Sequence, residues 1–108
     1  MILYNVTISI DQVAEIQFVE WLRNKHIQDV LDTGCFKSAR LTRLTSHTQP
    51  DATNYSIQYL AESQQVLNEY YKVHAPRLRE EGQKLFGDKM QGFRTELEVL
   101  EDFFPNRS

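Results

Sequence analysis

The 108-residue sequence predicts an α+β domain with four strands and two helices in the order strand, helix, strand, strand, helix, strand. Three observations carry that expectation. Four stretches alternate apolar and polar residues at period 2, and two others repeat apolar residues at helical spacing. Turn signals separate them: Gly34, the polar residues 46–53 with Pro50, and Gly87.

The first strand covers residues 2–10, where Ile2, Tyr4, Val6, Ile8 and Ile10 alternate with Leu3, Asn5, Thr7 and Ser9. Asp11 is suited to cap the following helix, because its carboxylate can accept from amides left unpaired in the first turn. At about 100° per residue, Val13, Ile16, Val19, Ile27, Val30 and Leu31 share one stripe with Arg23 and His26 inside it. Phe18 and Trp21 fall on the other side of that wheel. Large aromatics opposite the main stripe imply a helix covered on two sides or bent partway. Gly34 then fits the left-handed position that ends a helix without a Cβ penalty.

Residues 36–46 predict a second strand with Ala39 and Leu41 on one face and Ser38, Arg40 and Thr42 on the other. Residues 54–61 predict a third, with Tyr55, Ile57 and Tyr59 opposite Asn54, Ser56 and Gln58, and an antiparallel hairpin is the economical connection. Ser63 can cap a second helix whose face includes Leu67, Tyr70, Tyr71, His74, Leu78 and Leu85. Pro76 interrupts it; an interior proline costs about 3 kcal/mol, so a kink or a fresh start is expected there. In the last strand Phe93, Thr95, Leu97 and Val99 alternate with Arg94, Glu96 and Glu98. Residues 1–102 form one domain and residues 103–108 a C-terminal tail.

This order of elements is the ferredoxin-like split βαβ pattern, an antiparallel sheet with both helices on one face. Alternation assigns Tyr4, Val6, Ile8, Ala39, Leu41, Tyr55, Ile57, Tyr59, Phe93, Leu97 and Val99 to the helix face. Asn5, Thr7, Arg40, Thr42, Arg94, Glu96 and Glu98 go to the free face.

Composition narrows the function. A chain of this length builds one core, and a formal net charge of -3 gives no general phosphate-binding surface. No basic-glycine motif precedes the strand tyrosines, so nucleic-acid binding is not expected. A single cysteine, Cys35, permits no internal disulfide. No apolar run approaches about 20 residues, so no membrane span is expected, and the N-terminus alternates like a strand rather than a signal peptide. A cytoplasmic location is the expectation.

His26 is the leading candidate for chemistry, because a helix imidazole beside a sheet can serve as acid, base or anion ligand near neutral pH. Its ordinary alternative is a packed, satisfied histidine. Arg23 is the candidate to hold an anion next to it, and Tyr4, Tyr59 and His74 are candidate ligand contacts, His74 having the same structural alternative. His26, His47 and His74 show no paired metal spacing, so neither a metal nor another cofactor is expected. Arg40, Arg94, Glu96 and Glu98 are expected on a dimer face, where enclosed charges must find partners.

The segments MILYNVTISI, EWLRNKHIQDVLDTGCF, YSIQYLAES, APRLREE and FGDKMQGFRTELEVL resemble, across residues 1–100, the uncharacterised bacterial family called domain of unknown function 4286. That family is similar in pattern to the dimeric α/β-barrel proteins, in which two ferredoxin-like sheets pack face to face. The resemblance implies a homodimer whose polar sheet faces line a shared barrel, and it implies no particular reaction. Relatives usually carry Pro where this chain has Gln28 and His where it has Gly82, which softens the expected helix break and removes any role for that second His.

The expected function is that of a small homodimeric binding or structural module without catalysis, with a small molecule as a possible ligand. The alternative is a cofactor-independent monooxygenase or isomerase acting on a small aromatic compound between the first helix and the sheet. In that version His26 is the acid or base, Arg23 holds an anion, and Tyr4 and Tyr59 line the pocket.

Overall fold

The computed structural model describes residues 1–106, so Arg107 and Ser108 of the expected tail lie outside the described residues. Strand β1 (Ile2–Asp11) pairs antiparallel with β3 (Ala52–Ala61) on one side and β4 (Met90–Glu98) on the other. β2 (Phe36–Arg43) adds to β3, giving the open order β2-β3-β1-β4. This is the ferredoxin-like arrangement, and the expected α+β class holds.

Two helical segments, the turn leading into the first helix and the helix after β3, begin where a side chain supplies a missing acceptor. The Asp11 carboxylate accepts from the Val13 amide at 3.0 Å, and Ser63 Oγ accepts from the Val66 amide at 3.2 Å. The first helix is continuous but not uniform: α1 (Glu15–Trp21) passes through a π turn (Leu22–His26) into α2 (Ile27–Leu31). Gly34 follows at φ 79°, in the left-handed region. α3 (Gln64–Val73) and α4 (Ala75–Phe86) meet at His74, with Pro76 in the first turn of α4, where a missing N–H costs nothing. The expected interruption at Pro76 is therefore a fresh start.

The buried side of the first helix differs from the expected stripe. Val13 and Ile16 are each 75% exposed, whereas Phe18 and Leu22 are at 0%. Every fourth residue from Ala14 through Phe18, Leu22 and His26 to Val30 turns toward the core. Such a row drifts by about 40° per step around an α-helix, which closes a turn in about 3.6 residues. The wider π turn takes more residues per circuit and reverses the drift. A wheel drawn for one unbroken α-helix assigns the phase wrongly.

The last strand also departs from expectation. Tyr4 stands opposite Glu96, Val6 opposite Arg94 and Ile2 opposite Glu98, and residues directly opposite share a face. Arg94, Glu96 and Glu98 are therefore on the helix side, while Phe93 and Leu97 are on the free face, the reverse of the sequence assignment. Val99 lies past the strand and donates its amide to the Met1 carbonyl at 2.9 Å. Period 2 separates two faces without saying which one is inward. β4 is an edge strand left largely uncovered by the helices, and every residue from Gln91 to Glu98 is exposed, so burial does not reveal its phase in the sequence.

The corrected free face is mixed. Leu97 stands opposite Leu3, and Asn5 Nδ2 donates to Thr95 Oγ1 at 3.3 Å while Asn5 Oδ1 accepts from Ser56 Oγ. Arg40 is on this face, opposite Gln58, as expected. Among the described residues no helix is long and apolar enough to cross a membrane.

Candidate functional site

Tyr4 is the centre of the helix-side core. Its ring lies 5.9 Å from Phe36 and Tyr59, 5.8 Å from Tyr70 and 5.5 Å from Tyr71. Rings around it leave space rather than filling it. A chamber of about 60 Å³ remains between the first helix, α4 and the sheet, lined by Tyr4, Trp21, His26, Tyr59, Tyr70, Arg79, Met90 and Arg94 among others. Since about 10–15 Å³ holds one water, this is room for several small atoms and not a packing defect. Beside it a groove of about 420 Å³ runs between α4 and β4, and Val6, Ile8, Arg79, Met90 and Arg94 line both spaces.

His26 reaches the chamber because the π turn keeps it on the buried row. Its Nδ1 is buried with no hydrogen-bond partner. Burial pushes the imidazole down to about 4, against the opposing pull of Glu81 and Asp29. It is accordingly neutral at pH 7. Trp21 stacks on it with centroids 4.2 Å apart, and Trp21 Nε1 donates to Glu81 Oε1 at 2.9 Å. Lys25 holds the other Glu81 oxygen at 3.0 Å, and the Trp21 and Lys25 bonds lower the Glu81 carboxyl. Gly82 permits this packing, because a Cβ there would come within 3.0 Å of the indole.

The second polar group is at the mouth. Arg79 Nη2 donates to the Tyr4 hydroxyl at 3.1 Å, and Arg94 Nε donates to the same oxygen at 3.0 Å. Among the described residues neither guanidinium forms an ion pair. Arg79 also lies 5.6 Å from the Tyr71 ring centre, and Tyr71 donates its hydroxyl to Glu96. Burial raises the hydroxyls of Tyr59 and Tyr70, which stay protonated at neutral pH. The chamber thus combines two cations, neutral phenols and one neutral imidazole, a set that can bind an anion and hydrogen-bond a polar group deeper inside.

Over residues 1–100 the sequence matches the family described as Domain of unknown function (DUF4286). The chain belongs to that family. No curated protein matches it. Solved structures do resemble this DUF4286 chain. A dimeric ferredoxin-like protein from an uncultured marine organism aligns at TM-score 0.72 with 11% identity, covering 97% of this chain and all of the other. HapK from Hahella chejuensis aligns at TM-score 0.69 with 12% identity over 99% of this chain and all of its own. An ethyl tert-butyl ether d (ethd) family protein from Bacillus halodurans C-125 gives 0.64 with 11% identity, covering 93% and 100%. Likeness at such identities establishes the shared fold alone.

The structure separates the sequence candidates. Tyr4, Tyr59 and His26 converge on the chamber. Arg23 does not: it is exposed and lines a different groove with Val19, Ile27, Leu41 and Arg43, because the π turn rotates it away from His26. His74 is at the α3–α4 joint, its Nδ1 3.0 Å from Arg77 Nη1, and is not among the chamber residues. Arg94, assigned from sequence to a dimer face, is instead at the chamber mouth. Sequence reasoning missed Arg79 and Trp21 as site residues. The period-four row ending at Val30 was a legible signal for the His26 side of the chamber, whereas nothing local marks Arg79, which meets Tyr4 only through tertiary packing. Among the described residues no cluster of three or more His, Cys, Asp or Glu converges as a metal site, and Cys35 is a free thiol.

Proposed function

We propose that this DUF4286 protein is a homodimeric binding module that holds a small molecule in the chamber between its first helix and its sheet. The observation that carries this reading is the chamber itself, about 60 Å³ lined by the His26 imidazole, the Tyr4, Tyr59 and Tyr70 rings and two arginines that among the described residues have no carboxylate partner. Dimerisation is supported by the free sheet face, where Phe93 and Leu97 are exposed beside Leu3. The solved structure with the highest fold similarity described above is named as dimeric.

Catalysis is the weaker alternative. A general base works best with a pKa near the working pH, and an imidazole at about 4 is far from it. A monooxygenase or isomerase acting on a small aromatic compound would need ligand binding to bring that value back toward neutrality.

A thermal-shift screen of small acids, phenols and neutral analogues tests the binding reading, because any ligand of the folded state raises apparent stability by mass action. The expected result is at least one stabilising class whose effect disappears in His26→Asn or Tyr59→Phe. No stabilising compound, or stabilisation indifferent to both substitutions, sinks it.

A further inference from the structure

We infer that the chamber selects a small hydroxycarboxylate, its carboxylate held between Arg79 and Arg94 at the mouth and its hydroxyl against the His26 imidazole inside. The inference rests on the chamber being a ligand site and adds the chemical class of the occupant.

The mouth calls for an anion. Two guanidinium groups share one phenolic oxygen as acceptor, at 3.1 and 3.0 Å, and among the described residues neither has a carboxylate partner. Two like charges converging on one hydroxyl repel each other, and a shared anion removes that repulsion. Acidic neighbours are engaged elsewhere: Glu80, on the adjoining groove, pairs with Lys84 at 3.1 Å, and Glu96 accepts from the Tyr71 hydroxyl. Both arginines are exposed and line the inner and outer spaces alike. Their side chains can therefore turn from Tyr4 to an incoming carboxylate, whose planar pair of oxygens matches guanidinium donors.

The interior sets the rest of the molecule. The His26 imidazole lines the chamber, and a neutral imidazole nitrogen is either a donor or an acceptor according to the tautomer. A hydroxyl satisfies both cases, since it donates and accepts. Between the two polar ends Val6, Ile8 and Met90 provide apolar wall. The space is about 60 Å³, well under the roughly 150 Å³ of a cavity that takes a benzene ring, so the body between carboxylate and hydroxyl is a short chain.

Trp21, the one tryptophan of the sequence, stacks on His26 and reports occupancy by its emission. The intact chain is titrated with lactate, lactamide, propionate and inorganic phosphate. A hydroxycarboxylate is expected to give a saturable change, with the matching amide weaker by about tenfold or more, as loss of a charge-assisted bond implies. Arg79→Gln and Arg94→Gln should each weaken the acid by about tenfold and leave the amide unchanged. His26→Asn should abolish the preference for lactate over propionate. Arg77→Gln, on the same helix but bonded to His74, should change nothing. Melting curves of the arginine variants verify that they fold. Equal binding of acid and amide, indifference to both arginine variants, or a response to phosphate alone overturns the hydroxycarboxylate while leaving the chamber a ligand site. Silence from every compound here and in the thermal-shift screen overturns both.

Discussion

The indole of Trp21 lies against the imidazole of His26, ring centroids 4.2 Å apart and planes 21° from parallel. One face of that imidazole, whose Nδ1 is buried without a partner, is thus closed by the only tryptophan of the sequence. The stack explains how an imidazole remains inside without a hydrogen-bond partner at Nδ1: Trp21 is itself fixed by Glu81 and by edge contacts with Phe86 at 5.4 Å. The histidine is held by packing, and its protonation equilibrium records that burial.

Stability should depend on His26 in mild acid. Its folded value of about 4 lies below the ordinary 6.5, so between those values the unfolded chain binds a proton that the folded chain refuses. Stability is then complete above pH 6.5 and declines as pH falls toward 4, by up to about 3 kcal/mol from this group. Urea unfolding across that range measures it. His26→Gln should flatten the slope relative to the parent; coincident slopes would show that the imidazole titrates normally.

Phe18→Ala should cost about 3–5 kcal/mol, because the ring is fully buried and meets Phe86 edge-on at 5.3 Å. Ile16→Ala, at a position 75% exposed, should stay within about 0.5 kcal/mol of the parent. Denaturant midpoints of the two variants decide between this phase and the one drawn from a regular helical wheel, which predicts the opposite ranking.

On the dimer reading, Leu97→Asp should shift sedimentation toward the monomer at micromolar concentration, because it places a charge on the free face beside Leu3. Arg94→Glu should leave assembly unchanged, since that side chain is on the helix side with Tyr4. If Arg94→Glu dissociates the protein and Leu97→Asp does not, the interface is on the other side of the sheet.

The legible parts of the site were those whose signal is local. Alternation over Ile2 to Ile10 put Tyr4, Val6 and Ile10 inside, where they are buried, and Tyr55, Ile57 and Tyr59 of β3 followed the same rule. β2 kept its expected phase at Ala39 and Leu41 despite the register shift between Phe36 and Ser38. His26 stood out because few side chains titrate near neutrality. Its pairing with Arg23 was an artefact of counting at one helical period.

The sequence by itself determined the order of elements, the caps at Asp11 and Ser63, the stop at Gly34 and the family, because each depends on residues close together in the chain or on pattern along it. Only the tertiary structure decided which face β4 presents, where the first helix changes phase, and that Arg79, Arg94 and Tyr4 meet. Those depend on strand register across an edge, on one widened turn, and on contacts between residues 75 and 90 positions apart. No local propensity encodes such contacts; they are fixed when the buried rings around Tyr4 pack together.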